Sequence, residues 1–368
     1  AYYRSSIEDR WNLLTLVSLA AAAALLVSLW AGPVRSADSP PDWLEPGFVP
    51  PAVEASAEEP EAGADSSFTI DLSFAGDCML ATSKGQCPKG SFNWYAANQE
   101  PSYFLEKVCG IFAADDFTIV NLENVLTDRP LAEAEKSTDP AYWFRGPTSN
   151  IDILTAGGVE AVSLANHHPG DYGPQGRRDT IAAGEAAGLL YGTNDHTFYL
   201  EKNGFTIAVI CHGLWVEGQA AQICKRIEAA SQASEYQIVL YHGGKESVHV
   251  PEDWKVRASH RLVDAGADLV IGNHPHVLQP TEVYQGVHIL YSLGNFCYGG
   301  HRRPENRTVI YQMRLTIDQG AVVSEEVTLV PCYVYTGDTN NWQPAPITDE
   351  AEKQQVLDFL SGRRKLPY

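Results

Sequence analysis

The stretch SLANHHPGDYG, Ser163 to Gly173, places two adjacent imidazoles after an apolar run. Imidazole does not drive folding and does not hide easily in a core. The chain repeats the arrangement. FTIDLSFAGD ends in Asp77, DFTIVNLE in Glu123, and VEAVSLANHH in Asn166, His167 and His168. YQIVLYH ends in His242, and ADLVIGNHPH in Asn273, His274 and His276. Five of the chain's 11 histidines stand at such ends. Imidazole nitrogen, carboxylate and amide oxygen make a ligand set suited to zinc, manganese or iron. In an extended segment residues i and i+2 share a face, so His274 and His276 can reach one centre. Each residue alone has an ordinary explanation, such as a helix N-terminal charge for Glu123 or a turn for Asp77. Together they predict a metal site, faced by His167 and His168, at the strand ends that carry Asp77, Glu123, Asn166, His242, His274 and His276.

The elements that must hold these residues are legible as periodicity. Phe68, Ile70, Leu72 and Phe74 alternate with polar partners, as in a strand. The runs 116–123, 159–166, 236–242 and 267–274 are short and apolar, which suits strands buried on both faces. Helical patterns fall between them in PTSNIDILTAGG, PQGRRDTIAAGEAAG and WKVRASHRLVDAG, each closing on Gly. Strands alternating with helices predict an α/β fold. GVHILYSLGNF, RTVIYQMRLTID and AVVSEEVTLVPCYV read as later, antiparallel strands, and Thr348 to Leu360 as a last helix in the tail 336–368. In open α/β sheets, binding sites form at the carboxyl ends of strands, where the polar residues above stand.

The N-terminal part has a different character. No charged residue lies between Arg10 and Arg35, and residues 11–31 read WNLLTLVSLAAAAALLVSLWA. About 20 apolar residues span a bilayer as a helix, and Trp favours the two interfaces. Arg4 and Arg10 before the span favour residues 1–10 inside the cell and the rest outside. A cleaved signal peptide is the rival reading, with VRSA before Asp38 as its cleavage site. The expectation is a single-pass anchor in the cell membrane and an extracytoplasmic main domain. Residues 32–67 carry seven prolines and eight acidic residues against one Arg, the composition of a disordered acidic linker.

A net charge of −20 with no basic stripe excludes nucleic acid as a partner. The seven cysteines include no CxxC, which argues against a structural zinc knuckle. Pairings Cys87–Cys109 and Cys211–Cys224 are conceivable in an exported domain and are not deducible.

The segments FAGDCML, DDFTIVNLENVLT, FRGPTSNIDIL, VEAVSLANHHPGDYGPQG, YHGGKES, LVDAGADLVIGNHPHVLQP and ILYSLGNFCYGG resemble, in order, the bacterial capsule-synthesis CapA family, also called the poly-γ-glutamate biosynthesis family. That family is related to calcineurin-like metallophosphoesterases. The resemblance spans about residues 68 to 334. It implies a two-sheet α/β sandwich over residues 68–335, preceded by one transmembrane helix. It also implies that Glu123 bridges two ions, that Asp77 and His276 hold one, and that His167 (or Asn166), His242 and His274 hold the other. His168 would protonate a leaving oxygen, with Asp171 orienting its ring, while a divalent ion brings the pKa of water to about 7. The alternative for Asp171 is a turn cap before Gly173.

Three departures from the family pattern stand out. His167 replaces an Asn, Gly243 stands where Trp is common, which would open the pocket, and Met79 replaces the His that phosphoesterases carry two residues after the first Asp. Cys78 as a compensating thiolate is set against a buried, apolar Cys, which is the expectation. Arg302, Arg303 and Arg307 form a cationic cluster in GGHRRPENR that would attract a phosphate or carboxylate, with Asn295 contributing nearby; a solvated loop is the other reading. The function implied is synthesis, export or anchoring of a capsular anionic polymer such as poly-γ-glutamate. A metal-dependent phosphoesterase acting on an envelope substrate and a non-catalytic scaffold for membrane synthase subunits remain open beside it.

Overall fold

The computed structural model describes residues 67–137 and 140–368. The expected cytoplasmic segment, the anchor over 11–31 and nearly all of the 32–67 linker lie outside the described residues. Among the described residues no helix is long and apolar enough to cross a membrane.

Strands and helices are numbered in chain order. In the first sheet, β1 (Phe68–Met79) runs parallel to β3 (Phe117–Leu122), which is followed by β6 (Ala161–Ser163) and β7 (Leu190–Gly192), both also parallel. On its other side β1 pairs antiparallel with β15 (Thr308–Asp318), then come β16 (Ala321–Tyr333) and β17 (Ala345–Pro346). β14 (Asn295–Tyr298) joins the end of β1 in parallel, with Asp77 opposite Asn295. The second sheet has the order β12 (Leu278–Tyr284), β13 (Val287–Leu293), β11 (Leu269–Asn273), β10 (Tyr236–His242), β9 (Phe205–Gly213) and β8 (Thr197–Lys202). A small third sheet joins β2 (Thr82–Ser83), β5 (Phe144–Gly146) and β4 (Val125–Leu126).

Side-chain alternation builds the layers. Ile70, Leu72 and Phe74 of β1 and Ile119 of β3 share one core with Ile207, Val209, Ile238, Leu240, Leu269 and Ile271 of the second sheet. The intervening residues face outward onto helices. Val120, Leu122 and Val162 pack with α2 (Cys109–Phe112) and α3 (Asp152–Ala156), and with part of α4 (Gly173–Ala186). Ala208, Ile210, Val239 and Val270 pack against α5 (Ala220–Ala230) and α6 (Asp253–Asp264). Each fully buried Ile or Leu of these layers contributes roughly 1.5–3 kcal/mol. Two further helices are α1 (Phe92–Ala96), beside the first sheet, and α7 (Glu350–Leu360), whose Val356, Phe359 and Leu360 join the shared core.

All seven cysteines are free thiols, so neither conceivable disulfide forms. Cys211 lies in the core, and Cys224 Sγ faces the Arg261 carbonyl. Cys78 is buried, and burial pushes its thiol up to about 12, so it is an apolar packing residue and not a thiolate.

Candidate metal centre

The two sheets present the carboxyl ends of β1, β3, β6, β10 and β11 to one place. Register does part of the work: Asp77 pairs with Asn121, and His242 with Asn273. Close backbone approach does the rest. Asp77 N donates to the Gly294 carbonyl at 2.9 Å, and a Cβ on Gly76 would stand 1.9 Å from that oxygen. His274 and His276 adopt φ of +99° and +59°, conformations that L-residues avoid. Such strain costs of order 1–3 kcal/mol per residue and persists only where the surroundings enforce it.

Glu123, His167, His242 and His274 form a first group. His242 Nε2 lies 3.1 Å from His274 Nδ1, 3.2 Å from His167 Nδ1 and 3.2 Å from Glu123 Oε1. His167 Nδ1 is 3.6 Å from the same carboxylate oxygen. Four donors around a tetrahedral zinc at 2.0–2.1 Å stand roughly 3.3–3.4 Å from one another. These four separations are close to the edges of such a tetrahedron. Both Glu123 oxygens are buried and neither has a hydrogen bond of normal geometry, despite the imidazole at 3.2 Å. A buried carboxylate without donors is costly, and a cation between these four atoms removes that cost. Burial, reinforced by the neighbouring rings, drives His167 and His274 far below the ordinary histidine value. Both are thus in the neutral form that ligates.

Asp77, Glu123 and His276 form a second group that shares Glu123 with the first. His276 Nδ1 is 3.1 Å from Asp77 Oδ2, and its Nε2 is 3.7 Å from Glu123 Oε1. Burial works against charge on this ring, yet the Glu123 and Asp77 carboxylates prevail and hold it up to about 9. Asp77 is correspondingly held below the usual carboxylate range: burial opposes this, and the His276 contact wins. Asn295 fixes the ring, with Oδ1 3.1 Å from His276 Nδ1 and Nδ2 donating to the His276 carbonyl.

Asn166 does not join either group. Its Oδ1 accepts from the His168 backbone N–H, and its Nδ2 donates to Asn121 and to the Leu122 carbonyl. The nitrogen offered by this segment is His167 Nδ1. His168 is buried beside the cluster, its ring 3.9 Å from that of His167. Its Nδ1 meets Asp171 Oδ2 at 2.8 Å. Asp171 also accepts from Phe144 N and pairs with Lys136 Nζ at 2.5 Å, so its side chain orients His168 and does not cap the turn.

A cleft of about 910 Å³ opens over the cluster. Aromatic Tyr142, Phe144, Trp215 and Tyr298 line it together with His168, Asn295 and Arg303. Two of the three expected arginines are elsewhere. Arg307 stacks on Tyr333 and pairs with Glu352, because the start of β15 carries it toward α7. Arg302 is directed toward Gly90, and its carbonyl accepts from Asn340 N. The opening expected at Gly243 is absent. Gly243 is pressed against the Leu214 carbonyl, and Trp215 packs edge-on to His274, His167 and His242 with ring centres 4.9–5.7 Å away. Met79 is fully buried next to Tyr298.

Four participants escaped the sequence reading. Asn121 donates to Asp77 Oδ1 at 2.7 Å and contacts His242 Nδ1 at 3.2 Å. Its signal was present: a polar residue inside TIVNLE, two before Glu123 and so on the same face. Lys136, Trp215 and Glu246 come from loops, where no periodicity marks them.

The family model for bacterial capsule synthesis protein PGA_cap matches residues 71–299. The PGA biosynthesis protein CapA of Bacillus subtilis (strain 168) is 28% identical over 82% of this chain and 80% of its own length. The capsule biosynthesis protein CapA of Bacillus anthracis is 26% identical over 79% of this chain and 73% of its own. A hypothetical protein from Thermus thermophilus, of known structure, matches 71% of this chain and 99% of its own at 14% identity, with a TM-score of 0.43 that is too low to define the fold. The match over residues 71–299, carrying the strand ends from Asp77 to Asn295, places this chain in the bacterial capsule synthesis protein family.

Proposed function

We propose that this chain is a membrane-anchored, extracytoplasmic protein in the synthesis, export or anchoring of a capsular anionic polymer such as poly-γ-glutamate. We further propose that its strand-end cluster is a two-ion hydrolytic centre of the calcineurin-like metallophosphoesterase type. Family membership and the names of the two Bacillus relatives support the first part. The observation that carries the second is Glu123, a buried carboxylate without hydrogen bonds that is shared by two ligand groups.

Divalent ions held there would polarise a substrate oxygen and make water acidic enough to act as a nucleophile near neutral pH. The chain's own residues do the rest. His167 and His274 bind in their neutral form beside His242, and Asn121 and Asn295 orient the ligands. Trp215 covers one side of the three imidazoles and limits access of bulk water. His168, held through Nδ1 by Asp171, gives a proton from Nε2 to the leaving atom of a phosphoester or γ-glutamyl amide. Lys136 holds the Asp171 carboxylate in place. Arg303, at the cleft, attracts the anionic substrate.

The test is metal content of the purified full chain, beside a His242→Ala/His276→Ala variant. Near-stoichiometric zinc, manganese or iron, lost in the variant, supports the centre. Absence of metal after incubation with each ion sinks it. A scaffold partnering membrane synthase subunits is the second reading, favoured by Met79 in place of a ligating His. His242→Ala separates the two: polymer output collapses for an enzyme and persists for a scaffold.

A further inference from the structure

The FRGP segment, Phe144 to Pro147, has two faces, and the metal centre uses one of them. Phe144 lines the cleft. Arg145, the next residue of β5, points to the other side, since successive side chains of a strand alternate. There it lines a separate pocket of about 320 Å³ with Gly85, Asn93, Asp128 and Arg129. In this acidic chain arginines readily find carboxylates, as Arg129, Arg257, Arg307, Arg314 and Arg363 do. Arg145 is half-buried, and no carboxylate pairs with it among the described residues. Its Nη1 reaches only the Arg129 carbonyl, at 3.5 Å, and its guanidinium lies 5.1 Å from the centre of the Tyr172 ring. Gly85, at φ +66°, leaves room for it, because a Cβ there would stand 2.7 Å from Arg145 Nε. The other polar groups of the pocket are already engaged or are acceptors. Arg129 is held by Asp179, and Asp128 by the N–H and hydroxyl of Thr148. Asn93 uses Nδ2 for the Gln86 and Arg145 carbonyls, and its Oδ1 is buried without a hydrogen-bond partner.

We propose that this pocket is a carboxylate subsite for the anionic polymer, with Arg145 as the group that binds. The inference rests on the polymer reading above and not on the metal ions. A guanidinium offers parallel N–H donors that match both oxygens of a carboxylate, and such charge-assisted pairs are the strong ones. Phosphate presents similar oxygens, but its second negative charge would face Asp128 in the same wall. A singly charged carboxylate meets less of that repulsion. The unpartnered Asn93 Oδ1 adds an acceptor suited to an amide N–H. Carboxylate and amide together are the groups of a glutamyl unit. One strand separates the pocket from the cleft, so a polymer with a carboxylate on every unit can engage Arg145 while another of its units lies over the metal centre.

The test uses the full chain stripped with chelator, which removes carboxylate binding to ions, as wild type, Arg145→Gln and Arg145→Lys. The probe is a fluorescein-labelled oligo-γ-glutamate read by fluorescence anisotropy, with glutarate and inorganic phosphate as competitors. Melting curves check the fold. Should Arg145→Gln melt lower, Arg145→Lys, which keeps a cation beside Tyr172, carries the comparison. We expect Arg145→Gln to weaken the oligomer by about tenfold or more, the worth of one charge-assisted pair. Arg145→Lys should weaken it less, since it keeps the charge and loses the fork. Glutarate should compete better than phosphate. Unchanged binding in both variants overturns the pocket and leaves the polymer reading standing, with the oligomer bound elsewhere. Stronger competition by phosphate overturns the carboxylate assignment. Wild type that binds no oligomer refutes the polymer reading, and the pocket with it.

Discussion

His242 Nε2 and His274 Nδ1 stand 3.1 Å apart inside the protein. One proton can lie between them and make a hydrogen bond. But the same Nε2 also faces His167 Nδ1 and Glu123 Oε1, both at 3.2 Å, and one N–H cannot serve three acceptors. In the metal-free state lone pairs confront one another, and protonating the rings to relieve this is opposed by burial.

That opposition fixes a pH dependence for the metal-free protein. Unfolded histidines titrate near 6.5, whereas folded His167 and His274 titrate far lower and His276 near about 9. Between pH 6.5 and 9 the folded state holds one more proton, on His276, so its stabilisation falls as pH rises. Below 6.5 the unfolded state holds two more, on His167 and His274, so stability falls on acidification. Half-buried acids such as Asp115 and Asp268, both raised to about 6 by desolvation, contribute an opposite acid limb. A comparison of variants cancels that limb. His167→Asn removes one of the two protons, so its stability should fall less steeply below pH 6.5, by up to about 1.4 kcal/mol per pH unit. Urea unfolding in chelator from pH 4.5 to 6.5 measures the slopes, and parallel curves would contradict the assignment.

The order of these residues along the chain was legible because each follows an apolar run, and β1, β3, β6, β10 and β11 all lie within or across the expected segments. What could not be read was how loops fold back. Arg302, Arg303 and Arg307 are neighbours in sequence, yet only Arg303 lines the cleft, because the chain turns into β15 at Thr308. Trp215 and Glu246 reach the cluster by backbone bonds that no side-chain pattern encodes. β9 was missed as well. Its run TIAVICH ends in His212, whose ring bonds the Gly213 carbonyl and serves the turn and not the site. A strand-end histidine is therefore a signal only in company.

Proton delivery is separable from metal holding. His168 touches Asp171 and neither ligand group includes it. His168→Gln should retain metal while turnover drops by roughly 10²–10⁴-fold, the usual worth of a positioned acid. Loss of metal in step with turnover would mean that His168 supports the ligands instead.

The two arginines give a paired expectation. Arg303→Ala, at the cleft, should raise KM for an anionic substrate and leave thermal stability unchanged. Arg307→Ala removes the stack on Tyr333 and the contact with Glu352, so it should lower stability by about 1 kcal/mol and leave KM alone. Reversal of these effects would show that the loop beyond Phe296 binds substrate through a different face.

Gly243 tests how tightly the end of β10 is built. Its N–H is bonded to Asn273, and a Cβ there would stand 1.7 Å from the Leu214 carbonyl oxygen, a backbone atom that cannot swing aside. Gly243→Ala must therefore displace the Leu214 segment or the end of β10. The first carries Trp215 and the second carries His242. Overpacking of this kind costs about 1–3 kcal/mol, and here the shift is felt by a ligand and by the ring that covers it. The variant should melt lower than wild type and bind zinc more weakly. Gly110→Ala, where a Cβ meets nothing within 4 Å, is the control and should show neither effect. A Gly243→Ala protein with unchanged zinc affinity would mean that Trp215 and His242 tolerate the shift, and that the three-imidazole face owes its geometry to the ion and not to the backbone beneath it.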